Sequence, residues 1–183
     1  WHQSHVREGA SVIVAVADAD PAEIAAVLVA AFDRLAPREA GALPPPVWAS
    51  GEAVRAERRE KQQTALAMLF PGPARGEPDR VAAQLLAGIA SGLGGRFFDE
   101  LRDRRSLAYT VQAFSSPRRL AGAFGAYIAT GPTQEEEARA ALLGEFARLV
   151  ETPVSDDELL RAQTAALGTP AIPRQGGGAV LGE

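Results

Sequence analysis

The sequence predicts an α+β fold: a largely antiparallel β-sheet with helices packed mainly on one face. Three observations predict it. Short apolar runs recur along the chain. Two of them, Leu107–Ser115 and Gly122–Thr130, are separated only by Ser116-Pro117-Arg118-Arg119, which reads as the turn of an antiparallel hairpin. Helix-start signals with an acid three residues on appear at Asp20, Thr133 and Ser155, each ahead of apolar residues at helical spacing. The resulting order is β, α, β, α, α, β, β, α, α.

The first strand is expected at Ser11–Ala17, an apolar run rich in β-branched residues. Asp20-Pro21-Ala22-Glu23 then starts a helix, with Asp20 as cap, Pro21 at the first helical position and Glu23 closing a capping box. Ile24, Val27, Leu28, Ala31, Phe32 and Leu35 predict one buried face. Residues 36–51, rich in Pro and Gly, form a surface connection. The charged stretch 52–61 fits an exposed edge strand. Thr64–Phe70 is the next strand, ended by Pro71-Gly72-Pro73.

Glu77-Pro78-Asp79 opens a helix whose inner side carries Val81, Leu85, Leu86 and Ile89. A glycine-rich loop (Gly88, Gly92, Gly94, Gly95) leads into an arginine-rich helix, and the hairpin follows. The box Thr133-Gln134-Glu135-Glu136 starts a helix burying Leu142, Phe146 and Leu149, and Ser155-Asp156-Asp157-Glu158 opens a last helix near 156–167. The whole reads as one domain over 1–183, a fragment of a longer chain, with a poorly defined tail from 168 to 183.

Composition bounds the chemistry. The chain has 183 residues, 46% of them hydrophobic, and a formal net charge of −4. A negative balance disfavours nucleic acid as a partner, since phosphate binding needs a basic face. No apolar run reaches the ~20 residues that span a bilayer. A soluble protein of the cytoplasm or periplasm is the expectation. Cysteine is absent, which removes disulfides and thiolate chemistry. The only histidines, His2 and His5, lie near Glu8 and read as a leading segment rather than a zinc site, which needs three convergent ligands. Without a histidine base, Ser91, Ser106 and Ser115 make no triad.

One segment concentrates the remaining chemistry. Gly92, Gly94 and Gly95 precede an arginine-rich helix but do not follow a strand, and Gly-Lys-Ser or Gly-Lys-Thr is missing. The dinucleotide and P-loop fingerprints therefore both fail. A helix C-cap with a tight turn, or a loop beside a cleft, remains. Most of the arginines read as a solvated charged face. Arg102 and Tyr109, seven residues apart, flank the turn from helix to strand, which can aim a guanidinium and a phenol into one cleft.

Three stretches resemble the C-terminal, zinc-free half of the pitrilysin/insulinase family of metallopeptidases, the inverted zincins that include mitochondrial processing peptidase. They are SVIVAVADADPAEIAAVLVAAF, GGRFFDELRDRRSLAYTVQAF, and GAFGAYIATGPTQEEEARAALLGEFARL with VSDDELLRAQ. The middle stretch is the most specific. The resemblance implies two similar halves around a chamber. One half binds zinc through H-x-x-E-H, whose glutamate activates water; the other offers an arginine and a tyrosine to the substrate backbone. H-x-x-E-H is absent here, and the arginine and tyrosine fall on Arg102 and Tyr109.

No cofactor is then expected on this chain, with zinc on a partner half-domain in the same or a separate chain, peptide as substrate, and a dimer as one arrangement. The alternative is a catalytically inert structural or assembly subunit of the same fold. Two positions depart from the family pattern. Ser106 replaces the usual glycine before Leu-Ala-Tyr, and Ala17 precedes Asp18 where the family often has Gly-Asp.

Overall fold

The structure, a computed structural model, describes residues 12–33, 44, 46–92 and 94–168. Internal contacts divide the chain into two units, Trp1–Pro44 with Gly168–Glu183, and Pro45–Leu167. In the first unit, helix α1 spans Pro21–Phe32. Asp20 caps it by accepting a hydrogen bond from the Ala22 N–H at 2.8 Å, with Pro21 at the first helical position. Its expected buried face is not seen: Ile24 and Leu28 are half-buried, and Val27 and Phe32 are exposed. The expected strand at Ser11–Ala17 is corrected too. Ser11 lies outside the described residues, and residues 12–17 carry no ladder bonds and are exposed. β-Branched apolar residues suit a strand, but only a neighbouring strand's N–H and C=O groups make one.

In the second unit, residues 52–61 are irregular and exposed rather than an edge strand. Dense charge there is met by water and by surface pairs such as Glu52 with Arg139 at 2.8 Å. Strand β1 (Thr64–Gly72), helix α2 (Arg80–Ser91), a π-helical turn (Phe98–Arg104), the hairpin strands β2 (Thr110–Pro117) and β3 (Gly122–Thr130), and helices α3 (Glu135–Glu151) and α4 (Asp156–Gly168) follow. The three strands form one antiparallel sheet in the order β1-β3-β2. The hairpin turn lies at 118–121, closed by the Arg118 N–H on the Ala121 carbonyl at 2.8 Å. Ser116 and Pro117, expected in the turn, remain in the ladder.

Register decides which face is buried. Ile128 of β3 lies between Leu66 and Val111, and Ala126 between Met68 and Ala113. These residues meet Ala90, Phe97, Leu101, Ala138, Ala141 and Leu142 in one core. Helices therefore cover one face of the sheet. On the other face Ala67, Tyr127 and Gln112 stand in a row and are exposed.

Fully burying a large apolar side chain contributes roughly 1.5–3 kcal/mol, so Phe97, Leu101, Leu107 and Leu142, all fully buried or nearly so, carry much of the stability. Phe146 of α3 sits edge-on to Phe70, Phe97 and Phe124 with centroids 4.8, 5.3 and 6.3 Å away. Of α2's expected inner residues, Ile89 is buried, Leu85 and Leu86 are half-buried, and Val81 in the first turn is exposed.

The start of α3 also differs from expectation. Pro132–Gln134 form a 3-10 turn, and the residue before α3 is Gln134, with no side-chain cap bond. Proline at the turn's first position moves Thr133 into the tight turn and out of the cap. The box at Ser155 forms as expected: its hydroxyl accepts from the Glu158 N–H at 3.3 Å, and Glu158 accepts from the Ser155 N–H at 2.9 Å.

Candidate functional site

The site is built on the segment from Gly92 to Tyr109. Gly92 ends α2, its N–H donating to the Gly88 carbonyl at 3.0 Å. Gly94 has φ of 77°, and a Cβ on Gly95 would sit 2.7 Å from Gly92 backbone atoms and 2.8 Å from the Ile89 carbonyl. Both glycines are thus required by the reversal that brings the chain back beside α2. Leu93 lies outside the described residues.

Arg96 follows at once, and its guanidinium makes four hydrogen bonds. It grips both carboxylate oxygens of Glu158 in α4, at 2.7 and 2.9 Å, and donates to the Thr152 and Pro153 carbonyls at 3.0 and 2.9 Å. The pair is largely sheltered, with 15% and 21% of the side chains exposed. A bidentate fork of this kind is a strong charge-assisted contact. The Arg96 hydrogen bonds, helped by the Ser155 N–H, hold Glu158 well below the usual carboxylate value, at about 2. The same pairing raises the pKa of Arg96.

The π-helical turn presents its side chains in three directions. Phe97, just before it, and Leu101 point into the core. Glu100 faces Arg104 at 3.3 Å and Arg148 of α3 at 3.8 Å, and Arg148 also pairs at 2.8 Å with Glu145, a buried carboxylate. Arg105 pairs with Glu137 at 3.0 Å. Arg102 is the exception among the arginines of residues 96–105. It is exposed, its guanidinium lies 4.7 Å from the centroid of the Phe98 ring, and among the described residues its side chain has no hydrogen-bond or ion-pair partner. Stacking on an aromatic ring limits its motion and uses none of its five N–H donors.

The turn ends in a left-handed residue. The Ser106 N–H donates to the Arg102 carbonyl at 3.0 Å, and the Leu107 N–H to Leu101 at 2.8 Å. Ser106 has φ of 52°, the only positive φ on a non-glycine residue among those described. This is where helices commonly end on glycine. Leu107 and Ala108 are buried but precede the ladder, so the strand begins at Thr110 and not at Leu107 as expected. Tyr109 is tied to β3 through its N–H on the Ala129 carbonyl at 2.8 Å, and the residue is 61% exposed. The reversal thus carries Arg102 and Tyr109 at its two ends, both exposed. Among the described residues no bond joins their side chains.

The described residues do not fit a metal. Among the described residues no three His, Cys, Asp or Glu side chains cluster to hold one, cysteine is absent, and His2 and His5 lie outside the described residues. No described helix is long and apolar enough to cross a membrane.

Sequence reasoning missed Arg96 and Glu145, and it gave Glu158 only its place in the capping box, not its pairing with Arg96. A signal was present for the first. A cation at the start of a helix opposes the helix dipole, and Arg96 has no acid beside it before Asp99. Such a residue requires a partner from elsewhere in the chain.

Residues 1–166 match the family described as Peptidase M16 inactive domain. A Streptomyces coelicolor protein described as an uncharacterized zinc protease is 26% identical over 189 aligned positions, covering 99% of this chain and 41% of its own length. A Rickettsia bellii protein described in the same words is 33% identical over 108 residues, covering 58% and 26%. The chain therefore spans less than half the length of these relatives. Among solved structures, a peptidase M16 inactive domain from Pseudomonas fluorescens superposes with a TM-score of 0.64 at 22% identity, over 82% of this chain and 37% of that one. A Helicobacter pylori protease superposes with a TM-score of 0.69 at 17% identity, over 90% and 42%.

Two predictions follow from this geometry. Ser106→Gly removes the left-handed strain of about 1–2 kcal/mol and adds unfolded-state freedom of about 0.5–1 kcal/mol. Urea unfolding should show a gain of up to about 1.5 kcal/mol; a loss would mean that the serine side chain itself is needed. For Glu158, the folded value is depressed to about 2 from an ordinary 4.5. Its contribution is complete above about pH 4.5 and lost as pH falls through about 2. Glu158→Gln should lower stability at pH 7 by about 2 kcal/mol. The gap between variant and parent should close between pH 4.5 and 2; a gap independent of pH would contradict the ion pair.

Proposed function

This chain belongs to the M16 metallopeptidase family as its C-terminal inactive domain, and from that premise we propose that it is the substrate-binding, non-catalytic half of a zinc-dependent peptidase. The observation that carries the reading is Arg102: of the arginines at 96, 102, 104 and 105, it alone is stacked on a ring with no ion-pair partner among the described residues. π-Helical turns occur often at functional sites, which agrees with its position.

In this reading the Arg102 guanidinium donates to a carbonyl of the peptide backbone and sets its register. Tyr109 donates its phenolic hydrogen bond to the oxygen of the scissile carbonyl as negative charge grows on it. Gly92, Gly94 and Gly95 form the turn beside the cleft. A zinc ion held by the partner half-domain would supply the activated water. The chain by itself hydrolyses no peptide.

The two roles separate kinetically. In the assembled enzyme, Arg102→Ala removes ground-state binding and should act mainly by raising KM. Tyr109→Phe removes a donor used as charge develops and should lower kcat by about 10²-fold. Zinc content should stay constant in both. Unchanged kcat/KM in both variants overturns the reading, and an assembled protein that cleaves no peptide returns the inert-subunit alternative.

A further inference from the structure

We propose that Arg96 is a positioning residue for Arg102, acting through the Glu158 clamp to fix the π-helical turn on which Arg102 stands. This rests on the substrate-binding role of Arg102 given above. A seven-residue π-helix is not self-supporting: nucleating any helix fixes several residues for few hydrogen bonds, and the wider π-turn is rarer still. Something outside the turn must hold it.

Three polar ties do so, spaced along the segment. Arg96 at the start binds α4 and the loop before it through two carboxylate and two carbonyl contacts of 2.7–3.0 Å. Glu100 in the middle reaches Arg148 of α3 at 3.8 Å. Arg105 just after the turn reaches Glu137, also of α3, at 3.0 Å. The Arg96 tie is the shortest and the most sheltered of the three.

The core contacts of Phe97 and Leu101 seat one side of the turn, but apolar contacts are non-directional. The guanidinium fork is directional. It sets the rotation of the segment about its axis, and with it the place of Phe98 and of the Arg102 guanidinium stacked on that ring. Arg96 touches neither Arg102 nor substrate in this account, so its effect on turnover passes through Arg102.

A double-mutant cycle in the assembled enzyme tests this. Arg96→Lys keeps a positive charge against Glu158 and loses the fork. The readout is kcat/KM on a mixed-sequence quenched fluorogenic peptide library, with zinc content and thermal midpoint measured on each variant. Arg96→Lys should lower kcat/KM by about tenfold in the parent, and by less than about twofold when Arg102→Ala is already present. Equal losses in both backgrounds would show a general structural role and overturn the proposal, as would a folded Arg96→Lys enzyme of parental activity. A silent Arg102→Ala would instead overturn the substrate-binding role itself, and the positioning role with it. Should Arg96→Lys fail to fold, Glu158→Gln, which keeps one oxygen acceptor and replaces the other with an N–H donor that cannot receive the guanidinium fork, enters the same cycle with the same expected outcomes.

Discussion

The contact between Arg96 and Glu158 is the constraint on which the rest of this unit depends. It joins residues 62 positions apart and ties the segment after the glycine turn to the first turn of α4. Glu158 serves twice, closing the capping box of its own helix and receiving the guanidinium fork. The Thr152 and Pro153 carbonyls, at the end of α3 and in the link to α4, are satisfied by the same arginine. One side chain therefore completes a helix end, a helix start and an ion pair. Sheltered ion pairs are poor sources of net stability. This one is better understood as a device that specifies a single arrangement of three elements.

Outward from that clamp, the segment divides its side chains by purpose. Phe97 and Leu101 join the aliphatic and aromatic core; Glu100, Arg104 and Arg105 are spent on ion pairs. Arg102 is left with an aromatic platform and, among the described residues, no counterion. A left-handed Ser106 then reverses the chain and leads to Tyr109. The serine preserves the backbone shape that a glycine would supply at this position, and it does so at a conformational cost.

The sequence made some of this legible and hid the rest for physical reasons. The hairpin, β1 and the Ser155 box could be read because each rests on local chemistry: strand-forming runs, a turn, a hydroxyl three residues before a carboxylate. The fold class followed from their order. The failures share a cause as well. Residues 12–17 have the composition of a strand, but pairing depends on a neighbour that composition cannot supply. The expected buried face of α1 fails in the same way, with Val27 and Phe32 exposed. Thr133 was displaced from its cap by the adjacent Pro132. Arg102 and Tyr109 could be picked out as candidates, but the arginine that orients the segment could not, because its partner is remote in sequence.

The most direct measurement of the central claim is a crystal structure of the assembled two-half protein with a peptide retained by removing zinc with a chelator. The account predicts a backbone carbonyl of the peptide within about 3 Å of the Arg102 guanidinium, and the scissile carbonyl oxygen at a similar distance from the Tyr109 hydroxyl. A peptide seated in the chamber with both side chains beyond about 6 Å, too far even for a bridging water, would contradict it.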